Sequence, residues 1–320
     1  MDQKIERALD EAAALGICLT PEDRSMARAL KQRLGAGITS PFKGLYVAER
    51  LWRDLTPDAQ TAILAATLAK LHPTWLFTSF TAASLCGLSV SWRYLTDLSI
   101  GCPGNRHPRV PNGVRIVRIN DSEPWTVNGI SITCPHQTLL TSMCRATFPD
   151  ALAIIDSALR RQLTDRERFA RYIDTFGYRH RGISTVRRAL HHADAKSENG
   201  GESIARAAMI EEGFQIPQLQ VAIRDPVDPW RSYRADFFWQ LPNGRYVIGE
   251  HDGKAKTQNP DMMQGRSLAQ IELDERRRES HLTALGIQIM RFSPRTVENR
   301  RAFCRLLEAF GIPRVNGVRP

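Results

Sequence analysis

Between Arg234 and Lys256 the chain reads RADFFWQLPNGRYVIGEHDGKAK, which sets Asp236, Glu250, Asp252, Lys254 and Lys256 into what is otherwise the composition of a buried hairpin. In a strand, side chains two apart share a face. If YVIGEHDGKAK runs on as one strand, Glu250, Asp252 and Lys254 project together, and Val247, Gly249 and His251 take the other side. Asp236 belongs to the preceding strand, and antiparallel pairing brings it beside Glu250. Carboxylates gathered in this way repel one another and are costly to bury unless a cation neutralises them. Mg²⁺ takes one or two carboxylates and keeps waters and phosphate oxygens as its other ligands. A neighbouring lysine can orient an attacking water or stabilise charge on a phosphate. Together these groups suit phosphodiester hydrolysis with Mg²⁺, or Mn²⁺, as cofactor. A solvent-facing hairpin with ordinary surface ion pairs is the competing reading, and such pairs contribute little. Against it, YVI is apolar up to the glutamate, as in a central strand that delivers a side chain to a sheet end. Glu202, opening a helix after Gly200 and Gly201, is a further candidate carboxylate; charge complementarity at a helix N-terminus would also account for it.

The elements that must position these groups follow from periodicity. Beyond the polar, glycine-containing stretch Ala193 to Ser203, the pattern is helix (Glu202 to Glu212), strand (PQLQVAI), the two strands above, a charged helix near Met262 to Leu285, the strand IQIMRF, and a last helix to about Phe310. This order predicts an α/β domain with a mixed central sheet over 201–320. Upstream, Ile5 to Leu15 and Pro21 to Leu34 have helical spacing, and ITSPFKGLYV supplies a hairpin, so 1–48 has the outline of a winged helix-turn-helix. Pro57 to Leu71 and SFTAASLCGL predict helices. YLTDLSIGCP, GVRIVRI and WTVNGISITC predict strands, with Asn128-Gly129 as a turn, and helices resume from His136 to about Leu190. The 49–192 region is therefore α+β.

The chain has 44 Lys+Arg against 34 Asp+Glu in 320 residues, a formal net charge of +10, which favours a polyanionic partner such as DNA. In the N-terminal segment Arg24, Arg28, Lys31, Arg33 and Lys43 are the candidates for phosphate contact. The six cysteines form no C-x-x-C pair, which argues against a disulfide framework or zinc site and fits a reducing cytoplasm. No apolar run approaches the roughly 20 residues of a membrane helix, so a membrane partner is not expected.

Asp236, Glu250-x-Asp252-Gly253-Lys254-x-Lys256 and ERRRESHLTALGIQIMRF together resemble the very-short-patch-repair-like branch of the PD-(D/E)XK (restriction-endonuclease-like) nuclease superfamily. Elements of that pattern occur in order: Glu202-Ser203; Arg234, Asp236 and Trp239; Glu250, Asp252 and Gly253; Arg278-Glu279, Leu282 and Gly286. The resemblance implies that Asp236 and Glu250 bind a divalent metal, with Glu202 as an extra carboxylate. The chain departs from the family where lysine usually stands two after the glutamate, since Asp252 is there. Either Lys254 or Lys256 then does the lysine's work, or Asp252-Gly253-Lys254 is itself the D-x-K element and Glu250 is auxiliary. GAGITSPFKGLYV, LFTSFTAASLCGL and GVRIVRI…ISITCPHQTLL are similar to AbiEi-type antitoxin or transcriptional-regulator proteins over roughly Ile5 to Leu190. That likeness implies a DNA-contacting winged helix, and a cognate toxin as a possible partner. Two functions follow as expectations: a DNA-binding, metal-dependent endonuclease, or a non-catalytic regulator whose nuclease fold only binds or oligomerises.

Some conspicuous residues have plainer explanations. Trp239 beside Phe237 and Phe238 reads as core packing, His251 alternates away from the carboxylates, and His191-His192 suit a helix C-terminus. Arg276, Arg277 and Arg278 form part of a solvated helix face from which Arg278 could reach a phosphate.

Overall fold

The computed structural model describes residues 3–104, 108–120, 123–178, 180–228, 230–252 and 268–315. The protein is mixed α and β, and it divides into two compact units, Met1–Arg145 with Thr164–Val186, and Ala146–Leu163 with Arg187–Pro320. These units partition the chain differently from the expected segments 1–48, 49–192 and 201–320.

In chain order the first elements are α1 (Gln3–Ala14), α2 (Arg24–Gln32), β1 (Ile38–Phe42), β2 (Leu45–Ala48), α3 (Glu49–Asp54), α4 (Pro57–Leu71) and α5 (Ser79–Leu85). After them come β3 (Leu98–Pro103), β4 (Val114–Ile119), β5 (Trp125–Val127), β6 (Ile130–Ile132), α6 (Pro135–Met143), α7 (Phe148–Arg160), α8 (Arg166–Phe176) and α9 (Ile183–His192). Asp23 starts α2 by accepting the Met26 N–H at 2.7 Å, an ordinary N-cap. The amphipathic spacing of α2 buries Met26 and Leu30, which join Ile5, Leu9, Ile38 and Tyr46 in one small core shared by α1, α2 and the β1–β2 hairpin. A second core in the same unit gathers Leu68, Phe77, Leu98, Ile100 and Ile132. Asn128 takes φ 48° between β5 and β6, as the expected turn requires.

The other unit is built on α10 (Gly200–Glu211), β7 (Gln218–Arg224), β8 (Ser232–Gln240), β9 (Tyr246–His251), α11 (Leu268–Ala284), β10 (Ile287–Phe292), α12 (Pro294–Glu298) and α13 (Arg300–Ala309), with α7 packed against α10. Its strands form one sheet in the order β10-β9-β8-β7. β10 runs parallel to β9, and the other pairings are antiparallel. The sheet is thus mixed, and β9 is internal. Val247, Ile248, Gly249, Glu250 and His251 are all buried, so this short strand carries its charge into the core. Phe237, Trp239, Val247, Met290, Phe292 and Phe303 form the core on one side, with Trp239 fully buried and its Nε1–H donating to Gln215 O at 2.9 Å. Tyr233, Ala235, Ile248, Leu282 and Ile287 form the other. Among the described residues no helix is long and apolar enough to cross a membrane.

Candidate functional site

At the end of β9, Asp236 on β8 lies within electrostatic reach of Glu250 on β9 and of Glu202 on α10. Phe237 pairs with Gly249, so Asp236 and Glu250 occupy the next step of the antiparallel register, as the sequence predicted. Asp236 Oδ2 accepts the His251 backbone N–H at 3.2 Å. Its charge acts on both Glu250 and Glu202. The first turn of α10 is able to reach this strand end because residue 201 is glycine. A Cβ there would lie 2.5 Å from His251 Cε1, closer than nonbonded atoms tolerate.

Glu202 is 3% exposed and is held from several directions. Asn199 caps α10 by accepting the Glu202 N–H at 3.0 Å, and its Nδ2 donates back to Glu202 Oε1 at 2.6 Å. This is a reciprocal variant of helix N-capping in which the Glu202 carboxylate takes the cap's side-chain amide rather than its backbone N–H. The Glu198 N–H donates to Oε2 at 2.8 Å, and Gln220 Nε2 donates to the same oxygen at 3.2 Å. Burial, opposed by the Glu198 N–H and reinforced by Asp236 and Glu198, pushes the Glu202 carboxyl up to about 7. A helix N-terminus favours the ionised carboxylate, so the upward shift reflects burial first and the nearby acids second. Arg234 grips Glu198 through both guanidinium nitrogens, at 2.7 and 2.9 Å, and so ties β8 to the loop before α10.

Glu250 lies among cations. Arg278 from α11 contacts its Oε1, and Arg291 from β10 lies 3.5 Å from Oε2. The Arg278 contact is an ion pair without hydrogen-bond geometry, and among the described residues Oε1 receives no hydrogen bond. Burial, the largest influence, holds the Glu250 carboxyl above its ordinary value, although both arginines pull it down. Arg278 also donates to Arg234 O at 3.1 Å. Arg291 is shared with Glu275 and Glu279, at 3.0 and 2.9 Å.

The remaining expected residues lie elsewhere. β9 ends at His251, so the strand does not continue through Asp252. That residue is exposed just beyond, where its backbone N–H still reaches Phe292 O at 3.0 Å. Gly253, Lys254 and Lys256 lie outside the described residues. His251 packs edge-on against Phe292, with its ring against Gly201 in the first turn of α10. In the other unit Arg24, Arg28 and Lys31 are exposed along one side of α2, Lys43 is exposed on the β1–β2 turn, and Arg33 is half-buried, donating to Ala29 O at 2.9 Å.

Sequence reasoning missed Gln220, Arg291 and Glu198. The only hint for Gln220 was a polar residue between Leu219 and Val221 in a strand pattern, and Arg291 reads as an edge-strand cation.

No three Asp, Glu, His or Cys side chains among the described residues already stand in a chelating cluster. The donor set nevertheless fits a hard divalent cation. Glu202 and Asp236 interact electrostatically, and among the described residues no donor reaches the buried Gln220 Oε1.

What these features define is a mixed α and β protein with buried, electrostatically coupled carboxylates near the end of an internal strand. No family profile matches the chain. It is 32% identical over 162 residues to "Uncharacterized protein MT2308" of Mycobacterium tuberculosis strain CDC 1551 / Oshkosh, and equally to "Uncharacterized protein Rv2248" of strain ATCC 25618 / H37Rv. The match covers 48% of this chain and 59% of each curated relative.

Proposed function

We propose that the chain is a DNA-acting protein whose sheet-containing unit is a metal-dependent endonuclease of the PD-(D/E)XK type. The observation that carries this reading is the position of Asp236 on β8, which acts electrostatically on both Glu250 of β9 and Glu202 of α10. Mg²⁺ or Mn²⁺ held there would supply charge neutralisation at the scissile phosphate. Asp236, Glu250 and Glu202 would hold it. Lys254 or Lys256 would orient the attacking water, whose oxygen bonds to phosphorus as the bond to the leaving sugar oxygen breaks; solvent takes up the proton of the attacking water and gives one to the leaving oxygen. Arg278, displaced from Glu250, is placed to hold a phosphate oxygen. In the other unit Arg24, Arg28 and Lys31, with Lys43, form a basic row suited to the DNA backbone.

The test is cleavage of supercoiled and mismatched duplex DNA in Mg²⁺ or Mn²⁺ against EDTA, with Asp236→Ala and Glu250→Ala. Metal-dependent nicking that both substitutions abolish, without loss of fold or DNA affinity, is the expected result. Salt-sensitive DNA binding with no cleavage in wild type, unchanged in both variants, overturns it.

One observation favours a second reading: Arg278 and Arg291 already neutralise Glu250, as they would in a site kept for structure. The chain would then be an AbiEi-like regulator or antitoxin with a cognate toxin as partner, and Arg28→Ala with Lys31→Ala would abolish DNA binding.

A further inference from the structure

Gln220 adopts φ 53°, and of the described non-glycine residues with positive φ it is the one inside a strand. A side-chain-bearing residue disfavours this left-handed conformation, which persists where the surroundings impose it and clusters at functional sites. Its effect on the sheet is visible in the packing. Leu219 and Phe237 face the core that contains Val247 and Phe303, whereas Ile223, Tyr233 and Ala235 pack with Leu282. Both strands therefore change sides at Gln220, which stands across the ladder from Asp236 because Leu219 pairs with Phe237 and Val221 with Ala235.

The Gln220 amide nitrogen donates to Glu202 Oε2 at 3.2 Å, which fixes the carbonyl oxygen as the other end of the amide. That oxygen, Oε1, is buried, and no donor among the described residues reaches it. Buried polar atoms in folded proteins nearly always have partners. Glu202 does not depend on Gln220 for its position, since Glu198 N–H and Asn199 Nδ2 hold it already. The strain therefore does something other than hold that carboxylate. It presents a neutral, hard oxygen beside two acidic groups, and amide carbonyls are ordinary ligands of divalent cations.

We propose that Gln220 is a ligand of the divalent cation, its Oε1 completing an oxygen set with Glu202 and Asp236. This rests on the metal-dependent reading of the same site, and the experiment separates the two. Binding of Mn²⁺ alone to the full chain, without nucleic acid, is measured from the spin-resonance signal of free Mn²⁺. Wild type is compared with Asp236→Ala, Gln220→Leu and Gln220→Gly, and each is melted in EDTA. Expected are Mn²⁺ binding by wild type, its loss in Asp236→Ala, and weakening of roughly 10–100-fold in both Gln220 variants. Gln220→Gly relieves the backbone, so its melting temperature in EDTA equals or exceeds that of wild type. Wild-type affinity in both Gln220 variants, with Asp236→Ala still defective, overturns the role of Gln220 and leaves the metal site standing. A Gln220→Gly protein that melts lower with unchanged affinity assigns the residue to structure and likewise overturns the proposal. No Mn²⁺ binding by wild type overturns both readings.

Discussion

The unit that carries the carboxylate site contains two buried acid–arginine arrangements. Asp156 on α7 accepts Arg206 Nη2 at 2.6 Å, Ser203 Oγ at 2.7 Å and the Asp194 N–H at 2.8 Å. Its side chain is 0% exposed and that of Arg206 4%. Both Asp156 oxygens are thus engaged in hydrogen bonds. Glu250 is 10% exposed, with arginine partners at 22% and 30%, and among the described residues its Oε1 accepts no hydrogen bond. Burial is the largest influence on both carboxyls and raises both. The difference is in saturation. Asp156 has the partner set of a residue that stitches helices together, whereas Glu250 is held through ion pairs with Arg278 and Arg291.

Breaking each pair should expose that difference. Arg206→Met strands a buried carboxylate and should lower unfolding free energy by about 3–5 kcal/mol in a urea titration, and adding Asp156→Leu should recover most of the loss. Arg278→Met leaves Glu250 with Arg291, so the loss should be no more than about 2 kcal/mol, while Mn²⁺ affinity rises. Equal losses for the two substitutions would erase the distinction between the sites.

Glu202 sharpens it through pH. Its carboxyl ionises near 7 when folded against an ordinary value of 4.5. Between those values the folded chain holds a proton that the unfolded chain has released, so this group makes stability fall as pH rises through the window. Below it, both states are protonated and the contribution is fully present. Glu202→Gln should therefore flatten the decline in melting temperature between about pH 5 and 8, and saturating Mn²⁺ in wild type should oppose it. The smallest stability effect is expected on α2, where Arg28→Ala with Lys31→Ala should change unfolding free energy by less than about 0.5 kcal/mol. The same pair should reduce the salt slope of DNA binding by roughly two.

Much of this architecture could be read from the residues. An apolar run ending in a glutamate marked β9 as internal, and the hairpin connection fixed Asp236 beside Glu250. Asn199 three residues before Glu202 is a local cap pattern, although the sequence reading used only the preceding glycines. Gln220 gave no comparable signal, because a left-handed strand residue is normally flagged by glycine or asparagine. Asp252 was expected to share the Glu250 face because alternation assumes that the strand continues, and it stops at His251. Arg291 resembled any edge-strand cation, and only folding shows it shared among Glu250, Glu275 and Glu279. The polar stretch at Ala193 to Ser203 suggested a boundary, yet Ser197 and Ser203 are buried and hydrogen-bonded to each other at 2.8 Å. Composition alone cannot separate a buried polar turn from a linker.

Because Ala146–Leu163 belongs with Arg187–Pro320, α7 emerges from the ribosome well before the helix it packs against. Until α10 follows, α7, with Leu152, Ile154 and Ile155 buried in the finished protein, lacks the helix it packs against in its own unit. A recombinant fragment that starts at Gly201 would reproduce this predicament permanently, with Arg206 lacking its acid and a helix-sized hydrophobic surface open to aggregation. Supplying residues 146–163 as a separate peptide should rescue such a fragment, which makes the discontinuous unit a natural split-protein pair.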